Sequence, residues 1–231
     1  MLLLGISLTI AACNKEKREC PGAIEKSYDL TGFHRISIGD ANTVTVTKGT
    51  DFSIRAKGCA DDLADLDMKL TANQAALEIK FKTQRNNRNR IDFIITMPLL
   101  TNLHLSGASK GDVSGFQGQN TVIRTVISGA SECRFDGLGV NLAVEISGAS
   151  KLIASGATEN LYGSISGASS LDAYGTTADE VDIMVSGSSK AWVKPVNSFF
   201  ADASGDSRIY YKGNPTVKHF ETSGNGRIIQ E

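Results

Sequence analysis

A four-residue pattern, Ser-Gly-Ala-Ser, recurs along the C-terminal half of this chain at a nearly constant interval. Intact copies begin at Ser106, Ser128, Ser147 and Ser166. Degenerate copies begin at Ser186 (Ser-Gly-Ser-Ser), Ser204 (Ser-Gly-Asp-Ser) and Ser223 (Ser-Gly-Asn-Gly). Successive starts are 22, 19, 19, 20, 18 and 19 residues apart. A fixed short period requires that each unit bury its apolar side against the next, so the chain must stack on itself.

The flanks identify the unit. Leu105, Ile127, Ile146, Ile165, Val185, Ala203 and Thr222 immediately precede the motif. Gly111, Cys133, Leu152, Leu171, Ala191, Ile209 and Ile228 stand two residues past it, and Val113, Phe135, Ala154, Ala173, Val193 and Tyr211 two further on. Mostly polar residues separate these columns, an alternation of period two that predicts short strands with one face inward. A second glycine at Gly115, Gly137, Gly156, Gly175 and Gly213, replaced once by Pro195, marks another corner. The apolar spacing of helical repeats and the Leu/Asn pattern of leucine-rich repeats are both missing. The expected fold is all-β: a right-handed parallel β-solenoid over residues 101–231, with an N-terminal β-rich cap over 27–100. Aromatic residues make up 6% of the chain against 23 glycines, a composition suited to repeated tight turns. In this reading the motif serines stack at a corner, their hydroxyls bonding neighbouring backbone, and none is a nucleophile.

The residue directly after each motif is Lys110, Glu132, Lys151, Ser170, Lys190, Arg208 or Arg227. It is expected to face solvent. The basic members could meet an acidic glycan or phosphate group, or serve only to keep the surface soluble and discourage aberrant strand pairing. Trp192, Tyr174 and Tyr210 are also expected outside, where rings can hold sugars. The candidate ligand surface is Lys151, Lys190, Arg208, Arg227, Trp192 and Tyr210.

In the N-terminal half, Phe33–Ile38, Val44–Val46 and Phe52–Ile54 alternate in the same way, and Gly39-Asp40-Ala41-Asn42 reads as a degenerate motif. Lys48-Gly49-Thr50-Asp51 suggests a hairpin-like turn and Asp61–Met68 a short helix. Leu77–Phe81 and Ile91–Met97 read as strands. The loop between them, from Gln84 to Arg90, carries Arg85, Arg88 and Arg90, which either contact an anionic partner or belong to an ordinary surface loop.

Residues 1–12 are an apolar run too short to span a bilayer, and they end in Ile10-Ala11-Ala12-Cys13. They read as a secretory signal, and the last four resemble a bacterial lipobox. No Lys or Arg precedes the run, a departure from such signals. The resemblance implies lipidation of Cys13, with residues 13–26 as a tether and a location in the cell envelope as an outer-membrane lipoprotein. In such an oxidising compartment Cys20 and Cys59 could pair, while Cys133 falls in an apolar column.

The Phe33-His34-Arg35-Ile36 strand, the Met97-Pro98-Leu99-Leu100 turn and the Ser-Gly-Ala-Ser series together resemble the family called "putative auto-transporter adhesin, head GIN domain", over roughly residues 30 to 215. That resemblance implies a solenoid-like fold, frequent lipoprotein signals and an adhesin-like role, and it brings no catalytic residues. The expected function is a non-catalytic envelope module that binds or builds. Its partners would be the membrane through the lipid anchor, and a glycan or another envelope protein. A net charge of -1 gives no general attraction to nucleic acid, and the chain has no nucleotide fingerprint or metal-ligand spacing. The alternative is a polysaccharide lyase or hydrolase on a β-helix, which would need clustered acids on neighbouring coils.

Overall fold

The computed structural model describes residues 19–20, 22–85 and 87–231; the signal segment and Cys13 lie outside the described residues. Strands dominate, and the alternating columns sort them into two parallel ladders. The first runs β6 (Ala76–Phe81), β2 (Arg35–Ile38), β8 (Asn102–Leu105), β10 (Val122–Ile127) and β12 (Asn141–Ile146). It continues through the distal halves of β13 (Lys151–Ile165) and β14 (Ser170–Val185) to β16 (Pro195–Ala203) and β18 (Val217–Thr222). The second runs β7 (Asp92–Met97), β3 (Thr43–Lys48), β9 (Lys110–Ser114) and β11 (Glu132–Asp136). It continues through the proximal halves of β13 and β14 to β15 (Lys190–Val193), β17 (Arg208–Tyr211) and β19 (Arg227–Gln230). This is a β-solenoid of about seven turns.

The inward columns are the ones the alternation marks. Leu105, Ile127, Ile146, Ile165 and Val185 are buried in one ladder, and Cys133, Leu152, Leu171, Ala191 and Ile209 in the other. Each large aliphatic side chain so enclosed contributes about 1.5–3 kcal/mol. Where a column goes small, a neighbour fills the space: a Cβ on Gly111 would lie 2.6 Å from Leu105 Cδ1.

The motif forms the corner between the ladders, and its four positions have different duties. The second residue needs a left-handed backbone, with φ between +62° and +78° from Gly107 to Gly224. It is also stacked tightly: a Cβ on Gly148 would sit 2.4 Å from the carbonyl oxygen of Gly129. The third residue donates its N–H to the preceding turn's glycine carbonyl, as Ala149 does to Gly129 at 2.8 Å and Ala168 to Gly148 at 2.8 Å. The fourth residue turns inward. Ser109, Ser131, Ser150, Ser169, Ser189 and Ser207 are all buried. The Oγ atoms of Ser131, Ser150, Ser169 and Ser189 accept the amide N–H of the corresponding serine one turn earlier, at 3.1–3.3 Å. The corner turns these amides away from the ladder, and the hydroxyl supplies the missing acceptor.

The stack passes through residue 100 without a break, because much of the N-terminal half builds turns of its own. Gly39–Asn42 lies directly against the first full motif, with Ala41 N–H bonded to Gly107 O at 2.8 Å. Asn42 holds the serine position: it is buried, and its Oδ1 accepts the Ile91 amide at 3.1 Å. Chain order is violated here. β3 is followed by β4 (Ser53–Cys59), yet the two do not pair. β7 lies between them, parallel to β3 and antiparallel to β4, so Lys48–Asp51 joins separated strands and makes no hairpin.

The closing elements are β1 (Ala23–Tyr28) antiparallel on β4, and β5 (Leu66–Thr71) antiparallel on β6. Between β4 and β5 the helix α1 covers Ala60–Ala64 only, shorter than the sequence suggests, because Leu66 already pairs with Phe81. Cys20 and Cys59 are joined by a disulfide, with Cα atoms 5.6 Å apart. The loop arginines separate. Arg88 is nearly enclosed, lies 3.9 Å over the Phe81 ring, and binds Asp65 and Asp62; it is an internal tie that faces no partner. Arg90 Nε donates to the Ala41 carbonyl at 3.1 Å.

Candidate functional site

The residue after each motif leaves the corner at the first position of the second ladder. Its backbone is fixed there: Lys190 N–H bonds Ser169 O at 3.0 Å, Arg208 N–H bonds Ser189 O and Arg227 N–H bonds Ser207 O, both at 3.1 Å. Register then runs Lys110, Glu132, Lys151, Ser170, Lys190, Arg208, Arg227 across adjacent strands. All are exposed or half-exposed. Lys190, Arg208 and Arg227 therefore stand on consecutive turns about 4.8 Å apart. Their mutual repulsion in water is on the order of 1 kcal/mol per neighbouring pair. Arg208 is partly offset by Asp206 at 3.6 Å.

Two residues along, the outward column reads Asp112, Arg134, Ile153, Asp172, Trp192, Tyr210 and Ile229. The acids in it are never on neighbouring turns, so the column offers no carboxylate pair of the kind a glycosidase uses. Trp192 and Tyr210 are not scattered rings: they stack with centroids 5.5 Å apart and planes 10° from parallel. Each ring covers one face of the other, and both are half-buried.

The next outward position adds two lysines that the sequence reading overlooked. Lys194 and Lys212 are exposed and lie on neighbouring turns, with Lys212 N–H on Val193 O at 3.0 Å. The alternation Lys190-Trp192-Lys194 and Arg208-Tyr210-Lys212 was the available signal. Lys212 Nζ also lies 4.3 Å over the ring of Tyr174. The Tyr174 hydroxyl donates to Glu231 at 2.7 Å, and burial, then that carboxylate, push its pKa up. Of the candidate ligand residues, Lys190, Arg208, Arg227, Trp192 and Tyr210 thus form one patch, while Lys151 stands apart beyond Ser170.

The arrangement can hold negative charge beside an aromatic pair. Among the described residues no group of three or more His, Cys, Asp or Glu could hold a metal ion, and no helix is long and apolar enough to cross a membrane.

Several solved structures resemble this fold, three of them as follows. A "putative adhesin" from Bacteroides fragilis NCTC 9343 matches with a TM-score of 0.81 at 18% identity, over 91% of this chain and 98% of that one. A "putative adhesin" from Parabacteroides distasonis ATCC 8503 gives 0.70 at 14%, over 94% and 98%. A third, from Parabacteroides merdae ATCC 43184, gives 0.69 at 14%, over 91% and 97%. No curated protein matches the chain. The family model described as "putative auto-transporter adhesin, head GIN domain" matches residues 32–215, and the chain belongs to that family.

Proposed function

We propose that this protein is a non-catalytic, adhesin-like module of the cell envelope, held at the outer membrane by lipid on Cys13, that binds an acidic partner through the patch around Trp192 and Tyr210. The observation that carries this reading is the register placing Lys190, Arg208 and Arg227 on consecutive turns beside a stacked aromatic pair. A rigid ladder of cations at strand spacing suits a repeating anion such as an acidic glycan, because the scaffold holds the charges in place before the partner arrives. The neighbouring rings add contact area at low entropic cost.

Binding is tested on arrays of acidic and neutral glycans and on whole cells. Trp192 is the only tryptophan, so its fluorescence reports occupancy directly. Acidic ligands should shift that fluorescence, and raising the salt concentration should reverse the shift. Lys190→Glu combined with Arg208→Glu should remove binding without lowering the unfolding temperature. Binding that ignores both salt and this double change would sink the proposal. Anchoring is tested separately: Cys13→Ser should release the protein from the membrane fraction.

A further inference from the structure

The two outer faces of the C-terminal turns carry opposite charge. On the first ladder, between residues 159 and 202, the outward side holds Glu159, Asp179, Glu180, Asp182 and Asp202, with no Lys or Arg. None of these five carboxylates forms an ion pair within the chain, among the described residues. Apolar groups stand among them. Tyr162, Asp182 and Phe200 occupy one column on successive turns, and Met184, 58% exposed, is beside Asp202 in the next. On the second ladder the turns from β15 onward present Lys190, Lys194, Arg208, Lys212 and Arg227 around Trp192 and Tyr210.

The acids stand on the three successive turns of β13, β14 and β16 and the bases on the three of β15, β17 and β19, with the β15–β16 turn common to both. Along the axis the charges of each face thus recur with one rise per turn, about 4.8 Å. The acidic face of one molecule can therefore meet the basic column of another over three turns when the solenoid axes align. Each face also has an apolar centre inside a charged surround, the arrangement found in specific interfaces.

We infer that the acidic partner of the basic, aromatic face is the acidic face of a second copy of this chain. This rests on the reading of the basic face as a binding surface. The contact is heterologous, one face against a different face, so a pair keeps one face of each kind free and association can continue beyond it. Such homotypic contacts would link anchored copies side by side or across apposed envelopes.

The test uses the full chain in non-ionic detergent, so that its apolar N-terminus does not drive association. Sedimentation velocity is run at about 10 mM and about 1 M salt, where the Debye length falls from roughly 30 Å to 3 Å. Wild type should assemble at low salt and dissociate at high salt. Asp179→Lys, Glu180→Lys, Asp182→Lys and Asp202→Lys together make the first face basic like the second; Lys190→Glu, Lys194→Glu, Arg208→Glu and Lys212→Glu together make the second face acidic like the first. Each variant alone should stay monomeric, and mixing the two should restore assembly, which also shows that both are folded. A wild type that remains monomeric at low salt overturns the inference, as does assembly that both variants retain. Binding of wild type to a polyuronate, measured in parallel by Trp192 fluorescence, separates the two claims. Polyuronate binding by a monomer leaves the basic face as a binding surface and removes only the homotypic partner. Absence of both removes both.

Discussion

The hydroxyl of Ser150 accepts the amide N–H of Ser131, one turn earlier, at 3.3 Å. Both residues are buried, so nothing in solvent can replace that acceptor. Ser150→Ala should destabilise the protein by about 1–3 kcal/mol, the cost of stranding a buried donor. Ser147→Ala, at the half-exposed first position of the same motif, should stay within about 0.5 kcal/mol of wild type. Urea unfolding of the two variants side by side reads the difference.

Gly148 and Gly118 share a left-handed backbone, with φ of +77° and +72°, but differ in surroundings. An added Cβ at Gly118 meets nothing within 4 Å, whereas at Gly148 it meets the Gly129 carbonyl at 2.4 Å. Gly118→Ala should cost about 1–2 kcal/mol for conformation alone. Gly148→Ala should cost a further 1–3 kcal/mol or so for the overpacked corner. Equal losses in thermal unfolding would show that stacking adds nothing to the glycine requirement.

Burial works to raise the pKa of Asp65, but hydrogen bonds from Thr83 and Arg88 and the charges of Arg88 and Arg85 outweigh it, leaving the carboxyl below its ordinary value of 3.8. A depressed folded pKa stabilises above the unfolded value and loses that stabilisation as pH falls through the folded one. The capped end should therefore loosen as pH drops below about 4. Arg88→Met should weaken the capped end at neutral pH and remove most of that further loss on acidification, because the folded carboxyl then no longer titrates far below the unfolded one. Hydrogen exchange in α1 and β5 measured against pH checks both statements.

The Cys20–Cys59 disulfide spans 39 residues, and a loop of that length corresponds to about 4 kcal/mol on a chain-entropy account. Reduction, or Cys59→Ser, should lower the unfolding temperature and free β1 first. Cys133 is fully buried, and burial, then Asp112 and Glu132, push its thiol up. A thiol reagent should leave Cys133 untouched until the chain unfolds; modification in the native state, read by mass spectrometry, would contradict the packing.

The repeat was legible because its physics is local. The glycine of each motif reports a left-handed corner, the aliphatic columns report an inward face of period two, and the polar residue after each motif reports an outward position. The N-terminal half was less legible. That Gly39–Asn42 is a corner could be read, since it keeps the alanine third and a polar fourth residue, with Asp40 (φ +60°) in the glycine's place. That β7 inserts between β3 and β4 could not, because strand partners 35 to 49 residues apart leave no periodic trace. Arg88 misled for the same reason: its loop looks like polar surface, and only the fold brings Asp65, Asp62 and Phe81 around it.

Sequence alone thus determined the unit, its corner chemistry and which residues face out, since each follows from backbone conformation and alternation within about twenty residues. Tertiary structure decided how the turns are ordered, how Trp192 meets Tyr210, and that Glu159, Asp179, Glu180, Asp182 and Asp202 gather on one ladder while Lys190, Lys194, Arg208, Lys212 and Arg227 gather on the other. Those are relations between turns, set by register across hydrogen-bonded strands, and no single repeat contains them.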